Sequence, residues 1–192
     1  MNDKIHILKT ELLSQNHYAL KKITYKYIDN KGEWQTQSHE VFERGNGAAI
    51  LLYNTIQKSV ILTKQFRLPS FINGNSTGML VEACAGLLDD ESPEAGIKRE
   101  TEEETGYKIK ELRRAFKAYM SPGSVTEILY FFIAEYTPDM KVSKGGGLAQ
   151  EHENIEVLEM PIAEAMDMID KGEIIDAKTI MLLQYVKLHN IL

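Results

Sequence analysis

Residues 86–107 read Gly86-Leu-Leu-Asp-Asp-Glu-Ser-Pro-Glu-Ala-Gly-Ile-Lys-Arg-Glu-Thr-Glu-Glu-Glu-Thr-Gly106-Tyr107. Ser92 followed by Pro93 makes an N-cap and a first helical position, and Gly106 makes a stop, so the spacing predicts a helix over 93–105. Glu100, Glu103 and Glu104 fall at i, i+3 and i+4, which puts three carboxylates on one face within a turn of each other. Like charges so placed repel, and they sit toward the helix end whose macrodipole disfavours anions. A divalent cation removes both penalties, and carboxylate oxygens suit Mg²⁺ or Mn²⁺. A solvated acidic face is the ordinary reading of a bare E-x-x-E-E. Arg99 ahead of the cluster, the Gly86 loop before the cap and the closing glycine favour a site.

Around this helix the chain reads mostly as strands. Residues 22–29 and 33–42 flank Asn30-Lys31-Gly32 and predict a hairpin. Arg44-Gly45-Asn46-Gly47 is the first strong break, which divides the chain into an N-terminal β unit, 1–43, and a larger domain, 44–192. Further strands are expected at 48–53, 59–66, 79–84, about 112–119, 126–137 and 155–159. Two more helices are expected, at about 161–171 with Pro161 in the first turn, and at about 177–190 with Leu182, Tyr185 and Val186 at i, i+3 and i+4. Many strands and few helices, not in alternation, indicate an α+β sandwich rather than a doubly wound sheet. Residues 138–154 lack any hydrophobic period and contain three consecutive glycines. Loops of this length are commonly functional or disordered.

The 192 residues are 43% hydrophobic and 26% charged, as in ordinary soluble globular chains. The longest apolar run, Ile128 to Ala134, is strand-sized and far short of a membrane helix. The N-terminus leads into no hydrophobic signal core, and the single cysteine, Cys84, allows no internal disulfide and no cysteine-only metal site. The cytoplasm is the expected compartment. Twenty-two basic and 28 acidic residues leave a net charge of −6 without a polybasic tract. That disfavours nucleic acid and anionic membrane as partners. It leaves a small anionic substrate open, because a bound cation reverses the local sign.

The carboxylate segment resembles the Nudix box, G-x5-E-x7-R-E-U-x-E-E-x-G-U with U aliphatic. Arg99 through Tyr107 matches its second half, with Thr101 and Tyr107 at aliphatic positions. From Gly86 to Arg99 the chain is one residue short, so either Glu91 takes the first Glu position with Ala85 in the glycine slot, or the loop is tightened. The likeness extends to Arg44-Gly45-Asn46-Gly47-Ala48, Lys64-Gln65-Phe66-Arg67, Glu82-Ala83-Cys84-Ala85-Gly86-Leu87-Leu88 and Tyr119-Met120-Ser121-Pro122-Gly123. These look like the branch that cleaves nucleoside diphosphate sugars, most of all its GDP-mannose pyrophosphatases, with ADP-ribose pyrophosphatases as near relatives. The resemblance implies a Nudix fold of mixed β-sheets sandwiched with helices, preceded by a small N-terminal antiparallel β unit. It implies a homodimer in which that unit crosses to the partner, Mg²⁺ (or Mn²⁺) as cofactor, and hydrolysis of GDP-mannose to GMP and mannose 1-phosphate. ADP-ribose or another nucleoside diphosphate sugar is the alternative substrate. A nucleotide-sugar-binding module without catalysis is the alternative class, and the full set of box carboxylates argues against it.

Carried onto this sequence, the resemblance gives Glu100, Glu104, Glu153 and the Ala85 carbonyl as metal ligands. Glu103 assists as a further ligand or behind one. Arg99 holds the carboxylates by a salt bridge, or forms only an exposed i,i+4 pair with Glu103. Glu151 is the general base, although Glu151 and Glu153 could exchange roles. Substrate contacts fall to Arg67 on the diphosphate, to Ala85, Gly86 and Leu87, to Glu127 at the rim, to Lys178, and to His17, His39 and Glu40 of the N-terminal unit. A guanidinium suits phosphate because its planar donors bind two oxygens at once. Each of these also has an ordinary reading: a strand-end charge for Arg67, a polar strand start for Glu127, a first-turn lysine for Lys178, surface positions for the histidines. His6 and His189 are expected at the surface, Trp34 and Phe42 in hairpin packing, and Cys84 in a buried strand.

Overall fold

The runs AAILLY at 48–53 and SVILTKQF at 59–66 are almost continuously apolar, the pattern of strands covered on both faces. A computed structural model describes residues 4–88, 90–151 and 153–192, with the side chain of Glu151 outside the description. Among the described residues the order is β1 (Ile5–Gln15), β2 (Ala19–Ile28), β3 (Trp34–Glu43), β4 (Asn46–Asn54), β5 (Ser59–Phe66), α1 (Leu68–Ile72), β6 (Met79–Glu82), β7 (Cys84–Leu88), α2 (Pro93–Thr105), β8 (Arg113–Tyr119), β9 (Ile128–Glu135), β10 (Glu156–Pro161), α3 (Ile162–Asp170) and α4 (Ala177–Leu188).

The main sheet runs β10-β5-β4-β9-β8, with β6 added beside β5 and β7 beside β4. Both parities of β4, β5 and β9 are buried, as the sequence pattern demands. On one face Ala48, Ile50, Leu52, Ile61, Cys84 and Phe132 cluster with Ile97 of α2. Alternation puts Leu51, Leu62, Phe131 and Ile133 on the other face. There Phe131 stacks on Phe116 at 4.4 Å, and Phe116 meets Tyr185 of α4 at 5.7 Å. Leu182, Leu183 and Val186 of α4 are fully buried. The sheet is therefore sandwiched between α2 and α4, an α+β arrangement. Each fully buried Ile or Leu contributes roughly 2 kcal/mol, so the sheet and its two helices form one cooperative body.

The chain groups into two compact units. One is the chain through Asn46 together with Ala118–Leu129, and the other is Gly47–Lys117 with Tyr130–Leu192. Ala118–Leu129 joins the N-terminal strands through backbone bonds: Phe42 N–H donates to Ser124 O at 2.7 Å, and Thr126 N–H to Phe42 O at 3.2 Å.

Several expectations needed correction. The N-terminal hairpin is a three-stranded antiparallel sheet, β1-β2-β3, because Ile5–Gln15 pairs along β2. Ten of the 11 residues of β1 are exposed, so it lacks the one-sided apolar alternation that reveals a strand. The expected strand at 79–84 is two strands broken at Ala83. The break lets the chain change neighbours, β6 pairing with β5 and β7 with β4. The Ala83 N–H turns instead to Thr179 Oγ1 at 2.6 Å. Pro161 caps α3 rather than opening its first turn. The short helix α1 was not anticipated. The long loop at 138–154 contains single turns at Pro138–Met140 and Ala149–Glu151.

Candidate active site

Helix α2 begins where its sequence says. Ser92 Oγ accepts the Ala95 N–H at 3.2 Å, Pro93 follows, and Gly106 ends the helix at φ +79° with its N–H on Glu102 O. Its buried side carries Ile97, Thr101, Glu104 and Thr105. The two departures from the aliphatic pattern keep the burial. Thr101 is fully buried with its hydroxyl donated to Ile97 O at 2.6 Å, and Tyr107 is 3% exposed, edge-on to Tyr136 at 5.0 Å. A buried hydroxyl satisfied by its own helix carbonyl is tolerated where an unpaired one is not.

Arg99 distributes its donors over three carboxylates: Nε to Glu91 at 3.0 Å, Nη2 to Glu100 at 3.1 Å and Nη1 to Glu103 at 2.8 Å. Glu91 thus has a definite place beside the helix, held by Arg99. Desolvation works to lower the Arg99 pKa, and the three carboxylates more than reverse it. Burial pushes the Glu100 carboxyl above its usual range, Arg99 opposes, and Glu103 and Glu153 add repulsion.

Glu104 is the unusual member. It is 2% exposed, and its Oε2 has no hydrogen-bond partner among the described residues. Burial pushes its pKa up to about 8; the Cys84 thiol works against that by hydrogen bonding, Glu100 and Glu153 reinforce it, and Arg67 opposes it. Cys84, fully buried, has its thiol pKa raised by burial and by Glu104. Gly86 lies against Glu100: a β-carbon there would force the Glu100 carboxylate to shift.

The glycine loop closes the far end of α2. Gly146 N–H donates to Glu104 O at 2.8 Å and Gly147 N–H to Glu103 O at 3.1 Å, while Val142 and Ser143 donate to Gly106 O. These amides satisfy helix carbonyls that are otherwise orphaned and offset the negative end of the dipole beneath the carboxylates. Gly145, Gly146 and Gly147 all have positive φ, at +66°, +108° and +80°. The same loop anchors Glu153, whose Oε2 accepts the Leu148 N–H at 2.9 Å. Glu151 lies in a single helical turn, its side chain outside the described residues. A cleft of about 460 Å³ opens between Arg99, Glu102 and Glu103 on one side and Ser143, Gly145, Gly147 and Leu148 on the other.

Arg67, Ala85, Gly86, Leu87 and Lys178 belong to this same unit, all half-buried. Arg67 Nε bonds Glu82 Oε2 at 2.7 Å, and Lys178 bonds Glu82 Oε1. Glu82 was missed from sequence; inside the apolar stretch MLVEAC it reads as one polar residue of an edge strand. His17, His39, Glu40 and Glu127 lie in the other unit. There Glu127 faces Arg44 at 3.5 Å, His39 and Glu40 are exposed on β3, and His17 is exposed in the turn before β2. Trp34 is 47% exposed, with Lys26 of the paired strand β2 over its ring at 4.8 Å, a contact within the hairpin.

Among the described residues no three His, Cys, Asp or Glu side chains already stand together in metal-ligating geometry. The chemistry of the donors nevertheless fits a cation. A buried, unpartnered carboxylate oxygen, flanked by two further carboxylates that repel it, is what a hard divalent ion would relieve.

Comparison with known proteins agrees along the whole chain. A family model described as the NUDIX domain matches residues 43–183, and one described as the GDP-mannose pyrophosphatase NudK N-terminal domain matches residues 4–42. The chain is 53% identical over 192 residues to a GDP-mannose pyrophosphatase of Yersinia enterocolitica, covering 100% of both chains. It is 52% identical over 189 residues to one of Yersinia pestis, covering 98% of this chain and 94% of the relative. It is 49% identical over 187 residues to one of Escherichia coli, covering 97% of each. A solved structure titled as an ADP compounds hydrolase superposes with a TM-score of 0.72 at 19% identity, covering 96% of this chain and 93% of that one. At that identity the likeness speaks for the fold alone.

Proposed function

The chain belongs to the Nudix family and is a Nudix hydrolase, and from that premise we propose that it hydrolyses GDP-mannose to GMP and mannose 1-phosphate. The observation that carries the chemistry is Glu104, a buried carboxylate with an unpartnered oxygen beside Glu100 and Glu153. Glu100, Glu104, Glu153 and the Ala85 carbonyl would hold the ion, Mg²⁺ with Mn²⁺ as the alternative. Bound there, it supplies charge neutralisation and Lewis acidity at the diphosphate.

The protein's own groups do the rest. Arg99 keeps Glu91, Glu100 and Glu103 in register. Arg67 and Lys178 receive the diphosphate, and Ala85, Gly86 and Leu87 line its approach. Glu151 takes the proton from the attacking water, with Glu103 supporting the carboxylate face. Attack at one phosphorus breaks the P–O–P bridge, and positioning with fixed charges supplies most of the rate. His17, His39, Glu40 and Glu127 are proposed to contact the base or sugar. Homodimerisation through the N-terminal unit and residence in the cytoplasm are parts of the same proposal. Among the described residues no helix is long and apolar enough to cross a membrane.

The guanine and mannose assignment is supported by relatives near 50% identity across the full length, each named for GDP-mannose, together with the N-terminal family match. Incubation with GDP-mannose or ADP-ribose, products resolved by chromatography, tests it. GMP forming much faster than AMP is expected. AMP forming faster would overturn the substrate and leave the fold and the cation site in place.

A further inference from the structure

Glu82 closes β6 and is 3% exposed. A carboxylate this buried is strongly disfavoured unless it is paired, and Glu82 is paired twice. Its Oε2 accepts from Arg67 Nε at 2.7 Å and its Oε1 from Lys178 Nζ. Arg67 follows β5 and Lys178 stands in the first turn of α4, so one carboxylate joins two elements far apart in sequence.

The surroundings hold that carboxylate in place. Thr63 Oγ1 donates to the Glu82 carbonyl at 3.2 Å. Thr179 accepts the Ala83 N–H at 2.6 Å, and its own N–H and hydroxyl both go to Asp176 Oδ2, at 3.0 and 2.5 Å. Asp176 Oδ1 takes Lys178 Nζ at 2.9 Å. The break at Ala83 and the N-cap of α4 are thus locked to each other beside Glu82.

The donors left over matter more. Arg67 spends Nε on Glu82, and among the described residues neither of its Nη groups has a hydrogen-bond partner; the side chain is 40% exposed. A guanidinium anchored through Nε has its plane fixed and its two Nη groups free as a fork for two phosphate oxygens. Lys178 is 14% exposed and spends two of its three protons on Glu82 and Asp176. The two cations face two anions, so attraction for a diphosphate here comes from orientation rather than from excess positive charge.

We propose that Glu82 is a positioning residue for diphosphate binding: without touching the substrate, it fixes Arg67 and Lys178 in the orientation that receives the diphosphate of the nucleotide sugar. This rests on the function proposed above. The test is a double-mutant cycle of E82Q and R67A, read in steady state with GDP-mannose and by calorimetric binding of GDP-mannose in chelator. E82Q alone is expected to raise KM and Kd about tenfold or more, with kcat within about threefold. In the R67A background the same substitution is expected to add less than about threefold, because the Arg67 route is gone and only the Lys178 contact is left to lose. E82D, which withdraws the carboxylate by one methylene, is expected to fall between and serves in the cycle if E82Q does not fold. Unchanged KM and Kd, or equal effects in both backgrounds, would overturn the proposal. Inactivity of the parent protein would count against the proposed function instead, and the binding arm would still decide the role of Glu82.

Discussion

Glu104 combines deep burial with an unpartnered carboxylate oxygen. Its pKa in the folded protein, about 8, stands above the unfolded carboxylate value of about 4.3, so folding favours the protonated form. Its contribution to stability is complete below the unfolded value and is lost as pH rises through about 8. In chelator, Tm is therefore expected to fall between roughly pH 5 and 8 by thermal denaturation. Saturating Mg²⁺ should flatten that slope, because the ion replaces the proton, and Glu104→Gln should flatten it without any ion. A Tm that rises across the window in chelator would contradict the assignment. The box carboxylates were legible in the sequence because their spacing is local to one helix. Glu82 was not, because its partners lie just after β5 and in α4, 15 and 96 positions away, and no local pattern reports such pairings.

At the scale of elements, the carboxylate helix and the glycine loop form one device. The loop amides cap the carbonyls of Glu103 and Glu104, and the loop's far side carries Glu153. Gly106 and Gly147 have positive φ, and a β-carbon would meet Ser143 O at the first and the Glu153 side chain at the second. Gly106→Ala is expected to lower stability by about 1–2 kcal/mol in urea unfolding. Gly147→Ala should cost about 1 kcal/mol and, in addition, reduce kcat/KM about tenfold by displacing Glu153. Loss of stability without loss of turnover in Gly147→Ala would separate the loop from the site. From residue pattern alone this segment was legible as a long glycine-rich loop, and Glu151 and Glu153 received roles there only through the family resemblance. Its purpose depends on where the helix end lies in space, which glycine content alone does not report.

For the whole molecule, the sandwich was legible because continuous apolar strands and capped helices each declare themselves locally. The N-terminal sheet was half legible. Its first strand exposes Ile5, Ile7, Leu8, Leu12 and Leu13, each between 47% and 61%, so nothing within one chain imposes the alternation that marks a strand. Apolar surface of this kind fits a covering partner, and the proposed homodimer supplies one. Sedimentation equilibrium is expected to give twice the 21.8 kDa chain mass, with Leu12→Arg shifting it toward the monomer and weakening turnover. A monomer at all concentrations would remove that part of the proposal. The proposed enzyme is a cation-dependent hydrolase built on the buried face of one helix. Its most direct test is the rate of GMP release from GDP-mannose as Mg²⁺ is titrated into chelated protein, parent beside Glu104→Gln. A saturating rise from near zero is expected in the parent, and a maximum rate at least about a hundredfold lower in the variant, the scale of losing one preorganised charge-stabilising group. Turnover independent of the ion, or a variant as fast as the parent, would contradict it.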